Sequence, residues 1–216
     1  EEFTMITRCP VCNSPLERKA GQVDHFCVND NCKARNIEAL IHFAGRDAMN
    51  IEGLGEKNIE LLFNLGLVTA ISDIYRLKTG DLDTLEGFGK KSAANIISAI
   101  EASKQNSLEK LLFGLGIRFV GSKAAKTLAK TYGSMESMIG LNKEDFMKVS
   151  DIGPVIAGSL YEYFRDEEKL LLIDTLKTLG LNMDYNGEKF VDASEFTGKT
   201  FVLTGTLDYY KRDEAK

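Results

Sequence analysis

Four cysteines, Cys9, Cys12, Cys27 and Cys32, fall within one short stretch, and the chain has no others. Two residues separate the first pair, fourteen separate the pairs, and four separate the second pair. Two short-spaced pairs joined by a loop can close a tetrahedron of thiolates around Zn²⁺. Four thiolates leave no position for water, so such an ion is structural rather than catalytic. It would supply folding energy to a segment too short to bury a core of its own. The rival arrangement is two disulfides, which belong to exported proteins. The acidic start Glu1-Glu2-Phe3-Thr4 carries no basic-then-apolar export signal, which weighs against it. His25 lies close by and is read as a loop residue rather than a ligand.

The second chemical feature is a turn that returns four times. Gly55, Gly89, Gly121 and Gly153 each end a short apolar-flanked segment: Ile51–Gly55, Leu85–Gly89, Ile117–Gly121 and Val149–Gly153. The glycines stand 34, 32 and 32 residues apart (55 to 89, 89 to 121, 121 to 153), and a helical pattern follows each. A repeat of this period predicts an array of helical pairs. Glycine lets a backbone take a positive φ and come close to another molecule. A helix start just behind it offers free N–H groups to an anion. Four such turns predict a surface that grips several phosphates. Any one of them alone would read as a plain helix–helix connection.

The formal net charge of −5 is at odds with a phosphate-binding surface until its distribution is examined. Residues 87–132 hold eight basic side chains against two acidic ones, while the segments on either side are net negative. The basic stretch therefore coincides with the second and third turns, and local sign decides where a polyanion docks. A solvated lysine-rich helix face is the alternative.

The elements needed to position these groups are mostly helical. Residues 8–33 are read as a metal-bound knuckle. Helices are expected over Asn36–Phe43, Glu56–Leu65, Ile71–Arg76, Lys90–Lys104, Leu108–Leu115, Ser122–Thr131, Lys143–Val149, Pro154–Phe164 and Asp166–Leu179. On the fourth of these Ala93, Ile96, Ile97 and Ile100 share a face, and on the sixth Ala124, Ala125 and Leu128 point inward. Leu54, Phe88, Val120 and Ile152 are expected to plug the core. Residues 186–195 read as a polar linker, and Thr200–Thr204 as a buried strand. One strand cannot bury its face alone, so the chain is expected to stop inside a further domain begun at 196. The expected organisation is a zinc finger with its lead-in over 1–35, a four-hairpin domain over 36–185, a linker over 186–195 and a truncated α/β segment over 196–216. No run of eighteen apolar residues is present to span a membrane, and a cytoplasmic protein is expected.

The segments His42-Phe43, Arg46, Ala48-Met49 and Ile51–Lys57 resemble the bacterial NAD-dependent DNA ligases. So do Leu85–Ala93 and Leu115–Gly121, the cysteine spacing, and the order of knuckle and hairpins. Gly198–Leu207 resembles the opening strand of a BRCT domain. The resemblance covers residues 8 to 207. It implies a mostly α fold: a four-cysteine zinc finger, then a four-motif helix-hairpin-helix domain, then a BRCT-like stub. It implies a parent enzyme that uses NAD and Mg²⁺ to seal nicks between a 3′-hydroxyl and a 5′-phosphate in replication and repair. In that family the catalytic lysine lies in a K-x-D-G motif, which is missing from this sequence. The chain therefore resembles a C-terminal portion that cannot ligate alone. The partner implied is nicked double-stranded DNA, held without regard to sequence and across the minor groove, by a monomer in the bacterial nucleoid.

The hairpins are not expected to be equal. The second carries Gly87, Gly89, Lys90 and Lys91, and the third carries Arg118, Gly121 and Lys123. The first has Gly53 and Gly55 but is flanked by Glu52 and Glu56. In the third and fourth, Phe119 and Asp151 stand where the first two have a glycine, and Pro154 removes one N–H from the last helix start. The second and third are expected to bind phosphate, and the first and fourth mainly to pack. Two other functions compete: a non-catalytic scaffolding module, and a helix-hairpin-helix glycosylase. The latter requires one dominant hairpin beside a base pocket with a catalytic Asp or Lys, which four phased hairpins do not resemble.

Overall fold

The structure, a computed structural model, describes residues 5–18, 23–85 and 87–187. The domain expected from 196, and all but the first two residues of the expected linker, lie outside these. The knuckle contains a small antiparallel ribbon, β1 (Leu16–Glu17) on β2 (Phe26–Cys27), with Leu16 opposite Cys27. Helix α1 (Lys33–Ala44) starts directly behind it, three residues before the expected Asn36. Its N-cap is Cys32, a residue type that does not advertise a helix start.

The rest of the described chain is the predicted array. Each hairpin joins a leading helix to a following one. The four pairs are α1 with α2 (Glu56–Asn64), α4 (Thr79–Leu82) with α5 (Lys90–Ser103), α6 (Leu108–Gly114) with α7 (Ser122–Tyr132), and α8 (Lys143–Met147) with α9 (Pro154–Tyr163). Helix α3 (Ile71–Ile74) links the first two pairs, and α10 (Glu167–Thr178) follows the last. The one-turn helix α4 is not among the helices that the sequence predicts. It is too short to show a period, and Asp81 sustains it by accepting the backbone N–H of Lys78 at 2.8 Å. Asp145 does the same for Asn142 at the start of α8, at 3.1 Å.

The faces predicted to be apolar do point inward. Ala93, Ile96 and Ile100 are buried on α5, with Ile97 half-buried. Ala125 and Leu128 are buried on α7, where Ala129 joins them and Ala124 is half-buried. The buried side chains form one continuous cluster from Leu40 to Tyr185. Phe146 anchors its later part, stacking on Phe164 at 6.2 Å and meeting Tyr132 edge-on at 5.9 Å. Burying one Leu, Ile or Phe contributes about 1.5–3 kcal/mol, while an exposed ion pair gives about 0–1 kcal/mol. The apolar faces, not the ion pairs, therefore hold the array together. Residues 181–186 then fold back as a strap. Asn182 N–H donates to the Lys104 carbonyl, Met135 N–H to Met183 and Tyr185 N–H to Gly133, stitching the α5–α6 connection to the α7–α8 connection.

Candidate functional site

The four hairpins share one backbone. In each, an apolar residue accepts the N–H three positions on: Ile51 from Leu54, Leu85 from Phe88, Ile117 from Val120 and Val149 from Ile152, at 3.0–3.2 Å. The residue before each donor has a positive φ: 88° at Gly53 and Gly87, 65° at Phe119 and 66° at Asp151. This is the turn geometry that favours glycine at its third position. Phe119 and Asp151 therefore replace glycine without changing the turn. The donors Leu54, Phe88, Val120 and Ile152 are all buried, as expected of core plugs.

Gly55, Gly89, Gly121 and Gly153 are the N-caps of α2, α5, α7 and α9. All four have φ between −76° and −85° with extended ψ, a conformation open to any residue. A Cβ at any of them would meet nothing within 4 Å. Serine or aspartate would fit and would cap the helix better. None of the four helices has a side-chain cap, so the first-turn N–H groups keep no such partner. The fold thus calls for an N-cap residue at these positions but not for glycine in particular. What they provide is an uncovered helix start, without a side chain in front of it.

The cations around these turns differ in their surroundings. Lys90 and Lys91, at the first turn of α5, are exposed and form no ion pair among the described residues. Lys123, at the first turn of α7, is held by Asp151 of the fourth hairpin at 2.8 Å. Their hydrogen bond and mutual attraction push the Lys123 ammonium above its ordinary range and the Asp151 carboxyl below its own. Lys123 lines a shallow groove with Lys110, Lys126, Ser122, Phe113, Asp47 and Glu109, and Lys110 donates to the Asp47 carbonyl at 3.1 Å. Lys110 and Lys126 belong to the basic stretch of 87–132, and the three-residue spacing of Lys123 and Lys126 places those two on one helix face. Arg118 lies over two rings, 4.8 Å from the centroid of Phe26 in the knuckle and 4.9 Å from that of Phe119 in its own hairpin. Gly53 differs from Gly87: its backbone presses against α5, and a Cβ there would stand 2.5 Å from Ile96 Cγ1.

The cysteines converge as the spacing predicted. Their four sulfurs lie within 4.8 Å of one another, and His25 is not among this group. Cys9 and Cys32 are 3.9 Å apart and Cys12 and Cys27 3.4 Å apart, too far for disulfides of about 2.05 Å. A zinc tetrahedron with Zn–S of about 2.3 Å has corners roughly 3.8 Å apart. The residues present therefore fit a tetrahedral ion. Hydrogen bonds from the side chain and backbone of Ser14 bring the Cys12 thiol down to about 5. The Asn29 backbone favours the Cys27 thiolate too, but burial and the neighbouring cysteines outweigh it and push that thiol up to about 12. Four thiolates this close repel one another unless a cation sits between them.

Comparison with known proteins bears on both features. Residues 8–34 match the family model described as the NAD-dependent DNA ligase C4 zinc finger domain. Residues 45–102 match a SAM-like helix-hairpin-helix tandem, and 110–173 a helix-hairpin-helix motif. The whole chain is 52% identical to a DNA ligase of Anoxybacillus flavithermus and 49% identical to one of Bacillus subtilis. This chain belongs to the NAD-dependent DNA ligase family. A third relative, the DNA ligase of Acholeplasma laidlawii, is 47% identical over 99% of this chain. The chain spans about a third of the length of these curated relatives: 32%, 33% and 32% in turn. This member of the ligase family thus carries a zinc-finger segment and two helix-hairpin-helix matches, each embracing two of the four turns. Among its described residues no helix is long and apolar enough to cross a membrane.

Proposed function

We propose that this chain is the part of a nick-sealing ligase that grips duplex DNA, while NAD, Mg²⁺ and the adenylated lysine are handled outside it. The observation that carries this is the set of four N-cap glycines, none of them required by φ or by packing, in front of helix starts that no side chain caps. Each exposes first-turn N–H groups at the tip of a hairpin, and such groups bind phosphate without reading bases. Binding is therefore to the backbone of nicked duplex and independent of sequence. Gly87, Gly89, Lys90 and Lys91 of the second hairpin and Arg118, Gly121 and Lys123 of the third make the main contacts. Gly55 adds to them, and Gly53 chiefly sets the shape of its hairpin. Cys9, Cys12, Cys27 and Cys32 hold a structural Zn²⁺, which fixes the knuckle against the third hairpin through Phe26 and Arg118. The chain acts as a monomer in the bacterial cytoplasm, at the nucleoid.

Titrating the chain against labelled nicked duplex over a range of salt tests this. Each neutralised phosphate adds about −0.9 to the slope of log K against log[salt], so a slope of about −3 or steeper is expected, unchanged between DNA sequences. Gly89→Ala should cost no more than about 1 kcal/mol, since its Cβ meets nothing and only the poorer N-cap counts against it. The same variant should weaken binding by keeping phosphate away from α5. Equal affinity of Gly89→Ala and wild type would remove the basis of the proposal. With NAD and Mg²⁺ alone the chain should form no enzyme–AMP; appearance of that adduct by mass spectrometry would contradict placing the adenylation site elsewhere.

A further inference from the structure

We infer that Asp151 of the fourth hairpin is an internal substitute for DNA phosphate, holding Lys123 until DNA displaces it. This rests on the proposal that the third hairpin binds phosphate, and adds to it a device that lowers affinity.

Three observations converge on this. The Asp151 carboxylate lies 2.8 Å from Lys123 Nζ. Lys123 is the second residue of α7, two positions after the uncapped N-cap Gly121. Asp151 also takes the positive-φ position, at 66°, where the first two hairpins carry glycine. Aspartate tolerates this conformation, though less freely than glycine. The charge, not the turn, is what aspartate adds. Both partners are well exposed, 84% for the Lys123 side chain and 61% for that of Asp151, so water and ions reach the pair. Such a pair is weak and exchangeable. A phosphate oxygen offers Lys123 the same charge-assisted bond, and α7 offers the phosphate its N–H groups in addition.

The fourth hairpin therefore does not bind phosphate poorly by accident of sequence. It presents an anion of its own to the neighbouring hairpin. DNA must exchange one ion pair for another, so Lys123 adds less to affinity than a free lysine would. In exchange the lysine side chain is kept from pairing with other anions.

The test is a double-mutant cycle on the full chain, using labelled nicked duplex and titrations at several salt concentrations. Asp151→Asn is the suitable variant, since asparagine tolerates positive φ and loses only the charge. It should tighten binding roughly two- to tenfold and steepen the salt slope by about one, as Lys123 gains a full phosphate contact. In a Lys123→Ala background the same change should have no effect on the slope. A gain that persists without Lys123 would mean that Asp151 acts by general repulsion, and would overturn the inference. So would an unchanged or weaker affinity of Asp151→Asn in a chain whose wild type binds with a steep slope; phosphate binding would then stand and the substitution by Asp151 would not. A wild type with a flat salt dependence would overturn both.

Discussion

Cys32→Ser is expected to abolish metal binding and unfold the knuckle while leaving the helical array folded. Cys32 is fully buried, is one of four converging sulfurs, and is also the N-cap of α1. A helix N-terminus favours a thiolate there, so metal site and helix start support each other. Zinc binding in small cysteine fingers is worth about 10–16 kcal/mol, and that binding energy is their folding energy. The knuckle has little to replace it: its ribbon is two residues long, and Met5, Ile6, Val11, Val23, Phe26 and Val28 stay exposed. The array, by contrast, has its own continuous core. Metal analysis should therefore show loss of bound zinc in the variant, with the main thermal transition nearly unmoved. DNA affinity should fall, because Arg118 loses one of the two rings it lies over. Zinc retained by Cys32→Ser would dismiss the four-thiolate site, and collapse of the whole chain would dismiss the independence of the array.

The second large effect is expected at Gly53, by comparison with Gly87. Both have a φ of 88° and both occupy the same place in their turns. Alanine at either pays the left-handed penalty of about 1–2 kcal/mol. At Gly87 that is the whole cost, since nothing lies within 4 Å of a Cβ. At Gly53 the new Cβ would fall 2.5 Å from Ile96 Cγ1 and 3.2 Å from Cδ1, on a side chain packed in the core. Overpacking there adds about 1–3 kcal/mol. Gly53→Ala should thus lose about 2–5 kcal/mol in urea unfolding, roughly twice or more the loss at Gly87. Each kcal/mol corresponds to about 2–4 °C in a chain of this size. Equal losses at the two glycines would show that the first hairpin does not press on α5 as described. The comparison separates a glycine that serves packing from one that serves an outside partner.

Much of this architecture was legible because it repeats. A glycine every 32 to 34 residues locates each N-cap, and the apolar residues beside it mark what the turn buries. The cysteine spacing likewise announces a convergent cluster, since short loops leave few other geometries. What stayed illegible is what two distant segments do together. Phe119 is a residue type that disfavours positive φ and Asp151 one that merely tolerates it, so the frame of the hairpins imposes it. The pairing of Lys123 with Asp151, the seat of Arg118 against Phe26, and the contact of Gly53 with Ile96 all join different hairpins or domains. Sequence reading places each partner and is silent on the meeting. Helix α4 and the ribbon of the knuckle are invisible in the sequence for a simpler reason, being shorter than any period that could reveal them.

The single core running from Leu40 to Tyr185 has a consequence for how such a surface can change. In a stacked repeat array each unit touches only its neighbours and can be gained or lost almost separately. Here the plugs of all four turns enter one cluster, and the 181–186 strap is tied to the ends of three different helices. A turn that no longer touches a partner still has to be built, because its plug closes the interior. Variation is then confined to the exposed positions of each turn, glycine to phenylalanine or aspartate, on a frame that cannot be shortened. One turn backbone, used four times with glycine, phenylalanine or aspartate at the same place, is what that constraint leaves.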